Sequence, residues 1–211
     1  LATMKPSETN FELADGTLSF TVRSEGRRAP HLNVQMTLQD LAFSNTSGEL
    51  AGEALEVTLE ADAHRDFDGQ RWTGNVAFAL EQGGLYAEPV YLDIDAQPLS
   101  GSSQFRYESV VGALELMALK VEQRDVLRLH GRARGTFADG LEQMLVEIDE
   151  LKFPAAYETW LAGLLVGTPL AALDVDGALS ASFAMDAGQA STFTVQLGNL
   201  NVEDRDGRFA I

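Results

Sequence analysis

The side chains that most often carry chemistry are sparse in this chain and poorly placed for it. His31, His64 and His130 are its three imidazoles, and no two stand at an H-x-x-x-H spacing that would bring both rings to one metal ion. Cysteine is absent, which removes thiolate nucleophiles, thiolate metal sites and disulfides without fixing the compartment. Serine and aspartate are plentiful, but no G-x-S-x-G elbow occurs, and no glycine-rich loop follows a strand and opens a helix around a phosphate. Asp66-Phe67-Asp68-Gly69 and Asp204-Arg205-Asp206-Gly207 place paired carboxylates beside a glycine, yet neither continues into the longer ligand series, closed by Glu, that holds calcium. Both read as hairpin turns. These residues predict a non-enzymatic protein with no catalytic residue, no metal and no cofactor.

One charged constellation stands out. Arg128, His130, Arg132 and Arg134 alternate along one segment and form a basic row in an acidic protein. Such a row is expected to pair with carboxylates on neighbouring strands, a lipid headgroup or partner contact being the alternative. The net charge of −17, from 15 basic and 32 acidic residues, excludes a nucleic-acid surface, which needs clustered cations. It also disfavours adhesion to anionic membranes.

The elements that must carry these residues are strands. In Leu55-Glu56-Val57-Thr58-Leu59-Glu60-Ala61-Asp62 the apolar residues take one face and the polar residues the other, as in a half-buried strand. Trp72, Val76, Phe78 and Leu80 repeat the pattern, as do Val90-Tyr91-Leu92-Asp93-Ile94-Asp95, the pair Leu127 and Leu129, the set Leu173, Val175, Leu179, Phe183 and Met185, and the set Phe193, Val195 and Leu197. Roughly a dozen strands result, with turns expected at Asp15-Gly16, Ser47-Gly48, Asp68-Gly69, Gly83-Gly84, Gly101-Ser102, Asp139-Gly140, Gly188 and Asp206-Gly207. Connections this short cannot hold crossover helices, so consecutive strands are antiparallel neighbours in a meander.

A single helix is predicted over about 154–166, with Pro154 in its first turn and Gly167 at its stop. Tyr157, Trp160, Leu161, Leu164 and Leu165 cover one side of it, so it must pack against the sheet or a partner. The chain also echoes itself at a spacing of about 159 residues, Val34, Met36, Leu38, Leu41 and Phe43 falling in register with Phe193, Val195, Leu197, Leu200 and Val202. Two similar hairpins would explain the echo, and so would the start of a second copy of one unit.

At 45% hydrophobic and 22% charged the chain is expected to fold as a single all-β domain over 1–211. It has no run of about 18 apolar residues and opens Leu1-Ala2-Thr3-Met4-Lys5 without a signal-peptide core. Any anchor or export signal is therefore expected outside the sequence, and Gly207-Arg208-Phe209-Ala210-Ile211 reads as a strand beginning in a longer protein. A meander with one apolar face several strands wide exceeds what one short helix can cover. The face could close as a barrel, fold over as a sandwich, or curl into a trough for an apolar ligand.

Leu197-x-x-Leu200-x-Val202-x-Asp204-x-x-Gly207-Arg208-Phe209-Ala210 resembles a recurring segment of AsmA-like bacterial envelope proteins, particularly the YdbH type. The block Phe153-Pro154-Ala155-Ala156-Tyr157 through Trp160-Leu161, then Gly167-Thr168-Pro169-Leu170 and Leu173-x-x-x-Gly177, is similar to the helix and strand between their β units. Leu38-x-x-Leu41-x-Phe43-x-x-x-x-Gly48, with Leu55, repeats the first pattern less faithfully. The resemblance implies a periplasmic β-groove that shields phospholipid acyl chains between the inner and outer membranes, in a longer protein anchored to the inner membrane, with the rest of the chain and envelope proteins as partners. The expected fold is then a large antiparallel meander curled into a groove or half-barrel with one short apolar helix. Expected groove-lining residues are Trp72, Val76, Phe78, Leu92, Ile94, Phe105, Leu129, Val175, Phe183 and Val195. The competing expectations are a self-filled β-sandwich repeat of a surface protein and a transmembrane barrel, for which strand alternation is equally suitable.

Overall fold

The computed structural model describes residues 11–26, 30–168, 171, 173–186 and 189–204. Eleven strands form one antiparallel sheet: β1 (Phe11–Glu25), β2 (His31–Asn45), β3 (Leu50–Arg65), β4 (Arg71–Ala87), β5 (Val90–Asp93), β6 (Leu99–Glu108), β7 (Ala113–Gln123), β8 (Leu127–Thr136), β9 (Gly140–Phe153), β10 (Leu173–Asp186) and β11 (Gln189–Asp204). Their order is β1-β2-β3-β4-β6-β7-β8-β9-β10-β11, with β5 paired to β4 beside this path. The sheet is a curled meander that does not close. Among the described residues there is no second sheet, so neither the sandwich nor a closed single-chain barrel forms. Among the described residues no helix is long and apolar enough to cross a membrane.

The strands are longer than turn chemistry predicts, because three glycine signals lie inside them. Asp15-Gly16, Gly83-Gly84 and Gly101-Ser102 were expected to be turns and instead fall within β1, β4 and β6. Glycine inside a strand signals a bulge or a close backbone approach, and Gly16 and Gly83 show why. Gly16 (φ 141) sits where the β1–β2 register slips, opposite Asp40 (φ 53). Gly83 (φ 96) faces Ala54 (φ 49) across the β3–β4 slip. Gly101 has another reason, since the ring of Phe78 occupies the space a Cβ would need. The expected turns at Ser47-Gly48, Asp68-Gly69 and Asp139-Gly140 are hairpin turns. Gly188 and Asp206-Gly207 lie outside the described residues.

Bulges with a left-handed residue also occur at Ala118 in β7 (φ 49) and Asn199 in β11 (φ 50), the latter opposite Gly177 (φ 115) in β10. The internal echo superposes Asp40 on Asn199. Both are left-handed, both precede a leucine, and both face a positive-φ glycine on the preceding strand. The repeated segments therefore share a backbone irregularity as well as a hydrophobic pattern.

The helical segment is shorter and less regular than expected. Pro154 lies in a turn; a wide π-helical turn (Tyr157–Leu161) then runs into one α-helical turn, α1 (Ala162–Leu165). Ala156 and Tyr157 are buried, Trp160, Leu161 and Leu165 are half-buried, and Leu164 points out at 57% exposure, which removes it from the expected packing set. Gly163 lies against the Pro89 carbonyl, too close for any side chain.

This segment and β5 close one end of the sheet. Leu55, Leu92 and Ile94 form the buried cluster there, with Leu41, Phe43, Val57, Leu80, Leu85, Leu99 and Trp160 packed around it. Gln123, which is buried, ties the cap down: its Oε1 accepts from the Trp160 indole at 2.9 Å, and Gln97 Oε1 accepts from Thr159 Oγ1 at 2.8 Å.

Candidate functional site

Away from that capped end the apolar residues of successive strands stand opposite one another in rows. Phe20, Met36, Leu59, Phe78, Gly101, Val121, Leu129, Ile148, Ala181 and Val195 pair in that order from β1 to β11. At a strand spacing of about 4.8 Å such a row runs roughly 43 Å along the sheet. No member of it is buried; each is half-buried or exposed. Side-by-side contact within the sheet accounts for what burial there is, and among the described residues no second layer covers the row.

The expected lining residues divide into two groups. Val76, Phe78, Leu129, Phe183 and Val195 lie in the uncovered rows, and Trp72 and Phe105 lie toward the open end, where Arg65 stacks over Trp72 with its guanidinium 5.7 Å from the ring centre. Leu92, Ile94 and Val175 do not line the face: Leu92 and Ile94 are core at the capped end, and Val175 is buried near the start of β10. Period-two spacing correctly put them on an apolar face but could not show that protein already covers it. Phe20, Met36, Leu59, Val121 and Ile148 were missed as lining residues, although continuing the same alternation into each neighbouring strand would have found them.

The opposite face carries the ion pairs. Arg128 meets Glu150 at 2.8 Å, Arg106 meets Glu115 at 2.8 Å, and Arg134 approaches Glu142 at 3.8 Å. Most of the basic row thus pairs with β9 carboxylates, as expected of neighbouring strands. His130 is engaged at both nitrogens, Nε2 with Glu147 at 2.6 Å and Nδ1 with Asp149 at 3.0 Å. Only the imidazolium donates from both nitrogens, and its pKa is raised, chiefly by the hydrogen bond to Asp149. The His31 pKa is likewise raised by its hydrogen bond to Asp62, which lowers that carboxyl in return. A hollow of about 480 Å³ on this face, over Ala77, Ser100 and Ser102, is rimmed by Lys120, Arg128 and His130, and the last two already have carboxylate partners.

The carboxylates of the Asp66-Phe67-Asp68-Gly69 turn are taken up by their own backbone. Asp66 Oδ1 accepts from the amides of Gln70 and Arg71, each at 3.1 Å, and Asp68 Oδ1 accepts from Gln70 at 3.1 Å. The amide of Arg71 is the main reason the Asp66 pKa is lowered. Among the described residues no cluster of three metal-ligating side chains occurs. The Asp204-Asp206 turn lies at and beyond the edge of the described residues.

Fold and site together define an open antiparallel β-groove: polar and ion-paired on one face, apolar and uncovered on the other, capped at one end. No family model matches the chain, and neither does any curated protein or solved structure.

Proposed function

We propose that the chain is a non-enzymatic lipid-binding and transfer module of AsmA-like type, which shields phospholipid acyl chains in the periplasm between the inner and outer membranes. The observation that carries this reading is the row from Phe20 to Val195, apolar across every strand of the main path and uncovered among the described residues, while the buried cluster of large side chains Leu55, Leu92 and Ile94 sits at the capped end. A folded chain leaves so wide an apolar face to water at a large cost, and acyl chains remove it at about 0.8 kcal/mol per buried methylene. A chain of ~16 carbons then contributes on the order of 10 kcal/mol, enough to hold a phospholipid out of water. The polar face needs no ligand, since its main cations have carboxylate partners. An inner-membrane anchor and envelope partners belong to the same reading and rest on the resemblance alone.

Native mass spectrometry of protein purified without detergent is the test. Phospholipid-sized adducts that disappear on organic extraction, and return on incubation with phospholipid vesicles, are expected. Protein that is free of lipid as isolated and takes none from vesicles would reject the reading.

A further inference from the structure

Among the described residues β1 and β11 are each paired on one side only, and the middle of each lacks the charges that usually protect an edge. Natural edge strands are blunted with lysine, proline or inward charges, because a free row of N–H and C=O groups templates another strand. Here β11 has no charged residue from Gln189 to Val202, and β1 has none from Gly16 to Val22. Both also expose large apolar side chains, Phe20 at 69% and Phe193 at 70%. Interior strands differ, since ion pairs join β2 to β3, β4 to β6, β6 to β7 and β8 to β9.

We propose that the two edges are complementary, and that a second copy of this chain adds head to tail, its β1 pairing with β11 of the first. Direction permits this: the main path holds ten strands, so its first and last run in opposite senses, and the new pair is antiparallel with both capped ends level. Register follows from the bulges. Gly16 accommodates the Asp40 bulge on its own β2, and Gly177 accommodates the Asn199 bulge on β11; setting Gly16 of the second copy level with Asn199 of the first continues that line. Phe20 then stands opposite Val195 and Val22 opposite Phe193. Each is an aromatic paired with a β-branched residue, a favoured cross-strand combination, and Thr21 meets Thr194 on the polar side. The apolar face runs on into the next copy, and the join stands whether or not a lipid occupies it.

The chain has no native cysteine, so engineered thiols report the join directly. Val195→Cys protein mixed with Phe20→Cys protein, then oxidised, is expected to give a one-to-one cross-linked dimer. The double variant F20C/V195C is expected to give a ladder of multimers. Pairing Phe20→Cys with Thr194→Cys, whose side chain points to the other face, should give about tenfold less, because a one-residue slip exchanges the faces. Light scattering should show association that rises with concentration and is lost in Thr194→Lys, with unchanged circular dichroism showing that this variant folds. A wild-type chain that stays monomeric up to its solubility limit overturns the proposal. So does cross-linking that ignores register, or that joins Val195→Cys mainly to itself.

Discussion

Trp160 Nε1 donates to Gln123 Oε1 at 2.9 Å, a hydrogen bond that joins the π-helical turn to the end of β7. Gln123 is 1% exposed, so its amide was taken out of water to make this contact and a longer one of 3.5 Å to Gln97. Replacing Gln123 by Leu leaves the half-buried indole N–H without its acceptor and should cost about 1–3 kcal/mol. Urea unfolding of Gln123→Leu beside Trp160→Phe measures it. If the double variant loses the full sum of the two single losses, the residues are not coupled and the latch is not what holds the cap.

The left-handed bulge residues make a second prediction, with opposite signs for two substitutions at one site. Ala118 sits at φ 49 and is exposed, so backbone conformation rather than packing decides the outcome. Ala118→Gly removes the left-handed strain and, after the entropy glycine returns to the unfolded chain, should stabilise by up to about 1 kcal/mol. Ala118→Val should destabilise by more than about 1 kcal/mol, since β-branched residues are outliers at positive φ. Equal melting temperatures for the two variants would show that the bulge is not held there.

These bulges mark where the sequence was hardest to read. Alternation in Leu55–Asp62 or Phe193–Leu197 declares a strand and a face, because side chains of one face recur every second residue. A glycine declares only that the backbone is unusual, and Gly16, Gly83 and Gly101 were read as turns when the long strands continue through two bulge positions and one site of close ring packing. The sharper signal is Leu-x-x-Leu inside an alternating strand, as Leu38-Gln39-Asp40-Leu41, Leu116-Met117-Ala118-Leu119 and Leu197-Gly198-Asn199-Leu200, whose third residue is left-handed in all three, whereas Leu161-Ala162-Gly163-Leu164 in the helical segment has no left-handed residue. Alternation is also blind to layers. Ile94 and Phe78 look alike along the chain, yet β5 and the helical turn bury the first and leave the second on the open face.

His130 provides a pH-dependent test. Glu147 and Asp149 on β9 hold its proton, with Lys120 of β7 in the opposing register position. Its folded pKa is raised above the ordinary 6.5. The stabilisation is therefore fully present below the unfolded value and is lost as pH rises through the raised folded value. Because the group is exposed, salt should weaken the effect. The stability difference between wild type and His130→Gln should shrink from pH 6 toward pH 9, and the ring resonances should titrate above the free-histidine value. A difference that grows with pH, or a ring that titrates below 6.5, contradicts this assignment.

The apolar face itself can be tested without touching the core. Phe78 lies mid-row, its ring over Gly101, half-buried, and is not among the side chains packed on the Leu55, Leu92 and Ile94 cluster. Phe78→Asp puts a carboxylate where an acyl chain would lie, and that charge cannot be desolvated against hydrocarbon without a penalty of several kcal/mol. The row is open, so in the lipid-free protein the same carboxylate stays hydrated and the fold should lose little beyond the ring's lateral contacts. Lipid retention should therefore fall by at least about tenfold, an effect of ~1.4 kcal/mol or more, while the circular dichroism spectrum is kept. Phe183→Asp, next to the far edge of the sheet on β10, should act in the same way. The control is Phe67→Asp, an exposed side chain on the turn between β3 and β4. Retention by Phe78→Asp equal to that of Phe67→Asp would place the lipid, if any, somewhere other than this face.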